Sequence, residues 1–214
     1  MSHPMLQHQT TSNVLELLHM DVMGPLQIDS LGEKRYVFVV IDDFSGYSWM
    51  KFLKEKSYTF EVFKDLCQSI QEEKDSMIVK VRSDHDNEFK NTEFSEFCNS
   101  KGISHEFSCS WITQGDGIVK QKTRAIQESA RVMLNAKQLP LEFWAEAINT
   151  ACYIHNRVTL RGGTTTTLYE LWKERKPKVK YFHIFGSKCQ IFTDKDQVDK
   201  ENPIGDEGIF LGHS

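Results

Sequence analysis

Two aspartates, Asp21 and Asp84, stand where carboxylates can hold a metal ion. Asp21 comes at the end of the first predicted strand, and Asp84 comes directly after the fourth. Carboxylates that project from neighbouring strands can share a divalent cation, because Mg²⁺ and Mn²⁺ prefer hard oxygen ligands. Spacing alone leaves a second explanation open, in which both side chains only cap turns.

Other polar residues near the strand ends also have both a functional and a structural explanation. Asp42 and Asp43 follow a dense apolar strand, and they are either auxiliary carboxylates or caps of a turn. Two explanations are also open for the remaining candidates: a supporting contact to metal or DNA, or packing and solvation without such a contact. These candidates are Asp86, Glu88, His19 and His85.

The pattern of apolar residues predicts the elements that carry these side chains. Segments 14–21, 34–41 and 47–53 are rich in β-formers and separated by turn signals, which predicts an antiparallel meander. Apolar residues at helical spacing between 60 and 70 predict a helix, and a strand, a short helix and a fifth strand follow. This order predicts a mixed α/β fold with a five-stranded sheet flanked by helices.

The second half of the chain is predicted to be mainly helical. A Gly/Asp loop at 114–117 precedes a predicted helix at about 118–137, and another helix begins after Pro140. A shift to Arg-Gly-Gly-Thr-Thr near 161–165 suggests a domain boundary. We predict a flexible N-terminus over residues 1–12, a core domain over 13–160 and a small C-terminal helix and strand extension over 161–214.

Composition restricts the class of protein. The 214 residues include 26 basic and 30 acidic side chains, but residues 109–214 carry a net charge of +3 against −7 for residues 1–108. Five scattered cysteines without a CxxC pair indicate neither a disulfide framework nor a thiolate zinc site. The longest aliphatic and aromatic run, 36–41, is far shorter than the roughly 20 residues of a membrane span. We therefore expect an intracellular protein, nuclear or cytoplasmic, that is neither secreted nor membrane-bound.

Seven motifs, in order along the chain, carry a family resemblance. They are 17–25 (LLHMDVMGP), 36–45 (YVFVVIDDFS), 82–89 (RSDHDNEF), 102–107 (GISHEF), 141–147 (LEFWAEA), 151–157 (ACYIHNR) and 208–214 (GIFLGHS). In these motifs the chain resembles the integrase catalytic core of copia-type LTR retrotransposons, which plant Pol polyproteins encode. The resemblance implies an RNase H-like fold, DNA integration as the activity, Mg²⁺ or Mn²⁺ as the cofactor, and retrotransposon ends and target DNA as partners.

The resemblance also assigns the catalytic positions. Members of this family carry two aspartates and a glutamate, with 35 residues between the last two. The aspartates correspond to Asp21 and Asp84, as catalytic residues and metal ligands, and the glutamate position falls on Lys120. The register is firm, because residues 117–128 (GIVKQKTRAIQE) are similar to the family's sequence without a gap.

A lysine at this position is expected to disable the chemistry. A unit charge about 4 Å from a divalent ion experiences repulsion of roughly 8 kcal/mol at an effective dielectric constant near 20. Lysine also lacks the oxygen ligands of a carboxylate, so we expect one metal position to be lost and the other weakened. Lys120 could instead pair with both aspartates, or Asp116 could supply a substitute ligand. If Asp116 caps the helix, Lys120 lies near a helix N-terminus, where a cation is disfavoured.

The long helix carries the candidate nucleic-acid contacts. Lys120, Arg124, Gln127 and Arg131 follow a spacing that gives them one polar face, and Lys122 adds charge. Such a stripe suits phosphate contacts and equally suits a solvated surface. With the resemblance, we predict DNA binding by Lys120, Lys122, Arg124 and Arg131.

Three hypotheses about function remain open at this point. The first is an inactive DNA-binding or dimerising integrase core, which we favour. The second is a residual metal-dependent nuclease that uses Asp21, Asp84 and Asp116, and the third is a relic fragment without a function. The family's N-terminal His₂Cys₂ zinc module is not expected here, because no cysteine precedes Cys67. We therefore expect a fragment of a longer polyprotein.

Overall fold

The structure is a computed structural model that describes residues 11–108, 113–191 and 206–212. Side chains at 87, 113–116 and 118 lie outside this description, and so do residues 1–10 of the predicted flexible N-terminus.

A five-stranded sheet has the order β3-β2-β1-β4-β5. Strands β1 to β3 are antiparallel neighbours, so the predicted meander is confirmed, whereas β4 is parallel to both β1 and β5. A separate hairpin of β6 and β7 follows near the C-terminus. The strands are β1 Leu18–Met23, β2 Tyr36–Asp42, β3 Ser48–Leu53, β4 Lys80–Ser83, β5 Ser104–Phe107, β6 Lys188–Ile191 and β7 Asp206–Ile209.

Five α-helices are present in the described part of the chain, and local sequence fixes several of their ends. The Asn91 side chain accepts a hydrogen bond from Phe94 N at 2.6 Å and so begins α2, which Gly102 ends in a left-handed conformation. Thr167 and Glu170 form a reciprocal capping box at the start of α5. The helices are α1 Thr59–Lys74, α2 Thr92–Lys101, α3 Thr113–Ala136, α4 Trp144–Val158 and α5 Leu168–Lys173.

Each face of the sheet packs against helices and forms its own core. One core joins Phe38 of β2 with Phe63 of α1 and Phe94 of α2. The other joins Val39 of β2 with Ile126 of α3 and Ile148 of α4. Since residues alternate between the faces along a strand, the continuous apolar run of β2 supplies both cores. The predicted mixed α/β fold is confirmed.

Two predicted boundaries are wrong. Residues 114–117 are not a loop, because α3 begins at Thr113 and includes them. Gly115 and Gly117 each cost a helix about 1 kcal/mol relative to alanine, but the packing of Val119 and Ile126 against the sheet stabilises the helix as a whole. The first strand begins at Leu18, later than predicted, so Asp21 lies inside β1 rather than at its end.

The segment after residue 160 contributes to the first core. Trp172 of α5 is fully buried, packs edge-on against Trp49 at 4.7 Å, and donates a hydrogen bond from Nε1 to Glu73 of α1 at 2.9 Å. The domain boundary at 160 stays a prediction. None of the helices in the described ranges has the combination of length and apolar composition that crossing a bilayer requires.

Candidate active site and nucleic-acid interface

Parallel pairing of β1 and β4 brings the two predicted catalytic aspartates together. The register pairs Leu18 with Val81 and His19 with Arg82, and its continuation sets Asp21 opposite Asp84. Helix α3 crosses this point, so that Lys120 lines the same narrow cleft as the two aspartates. Three residues from distant parts of the sequence therefore form one site.

The two carboxylates disfavour each other's charge. Burial, and after it the neighbouring Asp84 carboxylate, raises the pKa of Asp21 to about 6, because Lys120 lowers this pKa less than Asp84 raises it. Asp84 Oδ1 accepts a hydrogen bond from Asp86 N at 3.2 Å. A half-buried pair of negative groups of this kind gains stability from a cation placed between them.

The donor set fits one divalent ion. Asp21 and Asp84 offer the oxygen ligands that Mg²⁺ and Mn²⁺ prefer. The third position offers an ammonium group, which repels a metal ion and coordinates none. Within residues 11–108, 113–191 and 206–212, no group of three or more His, Cys, Asp or Glu side chains is arranged to hold a metal ion.

Lys120 lies deeper in α3 than the sequence suggested. Because α3 begins at Thr113, Lys120 lies nearly two turns from the helix start, beyond the first turn in which the helix dipole acts strongly. The argument that Lys120 opposes the dipole is therefore wrong. The Asp116 side chain lies outside the described residues, so its service as a substitute ligand stays a prediction.

The predicted DNA-binding residues of α3 separate into two groups. Lys120, Arg124 and Arg131 are exposed, as a phosphate-binding stripe requires. Lys122 is half-buried toward Cys152 of α4 and Arg161, and burial lowers its pKa to about 8. The structure thus does not bring Lys122 together with the other three, and its part in DNA binding stays a prediction.

Asp42 and Asp43 have structural roles. Asp42 is fully buried and accepts hydrogen bonds from Leu15 N, Ser45 N and Ser45 Oγ at 2.6–2.8 Å. Asp43 accepts from Thr11 Oγ1 at 2.8 Å and lies 2.8 Å from Nε2 of the buried His19. The structural alternative, a capped turn, is confirmed for Asp42, whereas the Asp43 side chain links this turn to Thr11 and to His19 of β1.

Residues after Asp84 form a small polar surface beside the cleft. Lys56 Nζ lies 2.8 Å from Glu88 and 3.3 Å from Asp86, so both acidic side chains are paired with a cation. The exposed His85 ring stacks on Phe107 at 4.9 Å between centroids. These contacts give structural explanations for Asp86, Glu88 and His85, whose roles the sequence left open.

Sequence analysis overlooked Arg82, which lines the cleft together with the aspartates and Lys120. Its guanidinium contacts Glu106 of β5 at 2.9 Å. A signal was available, since Arg82 precedes Asp84 by two residues and side chains two apart on a strand share a face.

Solved structures share this architecture. The HTLV-2 integrase catalytic core domain in complex with magnesium, in its trimeric form, is 22% identical with a TM-score of 0.56, over 75% of this chain and 97% of that one. The catalytic core domain of BIV integrase is 20% identical with a TM-score of 0.54, over 74% and 94% of the two chains. The fold is therefore that of an RNase H-like integrase catalytic core.

Sequence relatives define the family. Residues 12–111 match the family described as integrase core domain. The Pol polyprotein from transposon TNT 1-94 of Nicotiana tabacum is 32% identical over 94% of this chain, and that from transposon RE2 of Arabidopsis thaliana is 26% identical over 96%. The chain carries an integrase core domain and has homologues among the Pol polyproteins of plant retrotransposons, and it spans 15% and 14% of the length of these two relatives.

Proposed function

We propose that this chain is a copia-type retrotransposon integrase core that binds DNA but does not catalyse strand transfer. The observation that carries the proposal is the cleft in which Lys120 joins Asp21 and Asp84, at the position where the family resemblance expects a glutamate. The residues that would hold metal are Asp21 and Asp84, and the third member of the set is a cation.

The proposed loss of activity follows from charge and from ligand number. When bound, divalent ions in such a site stabilise the attacking and leaving oxygens of an in-line phosphodiester displacement. Asp21 and Asp84 provide ligands for one ion, and Lys120 removes the third carboxylate while adding a positive charge. Binding of the remaining ion is expected to be weakened by roughly the repulsion that a unit charge exerts on a divalent ion at a few ångströms.

Binding of DNA is supported by the exposed cations of α3. Lys120, Arg124 and Arg131 extend from the cleft along one helix, so a phosphate backbone laid over the cleft would meet them in turn. Retrotransposon ends and target DNA are the proposed partners. A homo-oligomer is also proposed, because the HTLV-2 core domain was solved in both dimeric and trimeric forms. A DNA substrate of this kind implies action inside the cell, in the nucleus or the cytoplasm.

Calorimetric titration of Mn²⁺ into the purified chain tests the proposal. We expect weak binding of at most one ion by the unaltered chain and binding of two ions by Lys120→Glu. Arg124→Glu is the matched control, since it makes the same charge reversal one turn further along α3 and is expected to bind as the unaltered chain does.

Binding of two ions by the unaltered chain would contradict the proposal. The residual nuclease that uses Asp21, Asp84 and Asp116 would then be favoured, and Asp116→Asn should abolish one of the two binding steps. DNA binding is tested separately, by fluorescence anisotropy with a labelled duplex in EDTA. Absence of salt-sensitive binding there would contradict the DNA-binding part of the proposal.

A further inference from the structure

The face of the sheet beside α3 carries cations where the helices do not cover it. Helices α3 and α4 pack over β2 and β3 through apolar residues such as Val37, Val39 and Met50. On β4, the half-buried positions Lys80 and Arg82 alternate with the buried Val81 and Ser83, which face the other core. This part of the sheet face is therefore polar and accessible from solvent.

Glu106 of β5 fixes the position of the Arg82 side chain. Arg82 and Glu106 are direct partners in the β4 and β5 pairing, and the guanidinium lies 2.9 Å from Glu106 Oε2. The other oxygen of Glu106 contacts Lys80 Nζ at 2.6 Å. Two cations share one carboxylate, so the three side chains together keep one positive charge.

Arg82 has hydrogen-bonding capacity left for a ligand. A guanidinium carries five N–H donors, and among the described residues the contact of Arg82 is with a single oxygen of Glu106. Its side chain is 26% exposed. Arg82 also lines the cleft of Asp21, Asp84 and Lys120. An ion pair between β4 and β5 would not by itself require this position.

Cations thus flank the aspartate pair on two sides. Lys120 approaches from α3, and Arg82 approaches from β4, next to His19 of β1. Two negative carboxylates repel a DNA phosphate, and in a metal-loaded integrase site the divalent ions overcome that repulsion. Here Lys120, together with the one positive charge that Arg82, Lys80 and Glu106 keep between them, can balance the charge of the two carboxylates.

We propose that Arg82 and Lys120 form a phosphate clamp that holds DNA over the aspartate pair without a divalent ion. Arg82 supplies a planar fork that Glu106 holds in place, and Lys120 supplies a point charge. This inference rests on the proposed DNA binding and adds the residue and the ligand group that anchor it at the cleft.

The test is salt-dependent binding of a fluorescein-labelled 20-base-pair duplex to the full chain in EDTA. Loss of one phosphate contact lowers the slope of log K against log salt by about one, which corresponds to a roughly five- to tenfold loss of affinity at 0.1 M salt. We expect this result for Arg82→Gln and for Lys120→Gln.

Lys80→Gln is the matched control for Arg82→Gln. It removes the same charge from the same strand and the same Glu106 partner, but Lys80 lies two residues further from Asp84. We expect its affinity to stay within twofold of the unaltered chain. Equal losses for Arg82→Gln and Lys80→Gln would overturn the clamp and leave general electrostatic attraction, with the proposed DNA binding intact.

Two further measurements keep the outcomes distinct. Arg82→Lys keeps the charge and the pairing with Glu106 but loses the fork, so we expect about a threefold loss with an unchanged salt slope. If circular dichroism shows that Arg82→Gln does not fold, Arg82→Lys becomes the deciding variant. An unaltered DNA affinity of Arg82→Lys would then overturn the clamp. Absence of DNA binding by the unaltered chain would overturn the proposed function and this inference together.

Discussion

Two pairs of aspartates in this protein have the same side-chain chemistry and opposite surroundings. The oxygens of Asp42 and Asp43 are satisfied by backbone and side-chain donors of the fold, including Leu15 N and Thr11 Oγ1. Asp21 and Asp84 instead lie opposite each other in a narrow cleft, where burial and mutual repulsion raise the pKa of Asp21 to about 6.

This difference separates carboxylates that hold a turn of the fold from carboxylates that face each other in the cleft. A buried carboxylate with several donors stabilises its turn, and its removal leaves those donors without partners. A buried carboxylate that faces another one is less stable in its charged form, so replacing it by a neutral group favours the native state. Substitution should therefore have opposite effects on the stability of the two pairs.

The largest expected effect is that of Asp42→Ala. This change leaves Leu15 N and Ser45 N buried without an acceptor, and we expect it to lower the free energy of unfolding by about 3–5 kcal/mol. Urea denaturation followed by circular dichroism measures it. Asp29→Ala is the control, because Asp29 makes an exposed ion pair with Arg35 at 3.2 Å and should cost less than about 1 kcal/mol. Similar losses for the two variants would contradict the structural role of Asp42.

Asp21→Asn is expected to stabilise the protein at neutral pH. The native pKa of about 6 lies above the ordinary value of 3.8, so the native state takes up a proton as the pH falls. The contribution of Asp21 to the free energy of unfolding is fully present below about pH 4, and it is lost as the pH rises through 6. At pH 7.5 the asparagine variant avoids the loss, and we expect its free energy of unfolding to rise by about 1–3 kcal/mol.

The measurement is urea denaturation in EDTA at pH 7.5 and pH 4. The gain should be present at pH 7.5 and absent at pH 4, whereas Asp86→Asn, on the exposed part of the same surface, should change little at either pH. A gain of equal size at both pH values would show that carboxylate repulsion is not its cause.

The smallest expected effect is on DNA affinity, and it concerns the cations near the two pairs of aspartates. Arg124 is exposed on the α3 surface that leads from the Asp21 cleft, whereas Lys122 is half-buried toward Arg161, which contacts the backbone oxygen of Asp43. Arg124→Gln should weaken DNA binding about three- to tenfold, and Lys122→Gln should change it less than twofold. Anisotropy titrations at 0.1 M salt compare them, and the reverse order of effects would restore Lys122 as a phosphate contact.

The sequence predicted most of the fold, because the main elements carry strong local signals. The apolar run from Tyr36 to Ile41 predicted a buried strand, and this strand is β2. Local signals failed at 114–117, where glycines suggested a loop but α3 continues. Packing of the later turns of α3 against the sheet outweighs that local preference.

The sequence by itself was enough to predict Asp21, Asp84 and Lys120 at the positions where the family resemblance expects the catalytic carboxylates, because residue order and spacing are properties of the chain alone. Only the tertiary structure decided which donors and which charges surround each of these carboxylates. Hydrogen bonds such as that from Leu15 N to Asp42 join residues far apart in sequence. The placement of Arg82 beside the aspartate pair likewise depends on the pairing of β4 with β1 and β5, a long-range contact that no local pattern records.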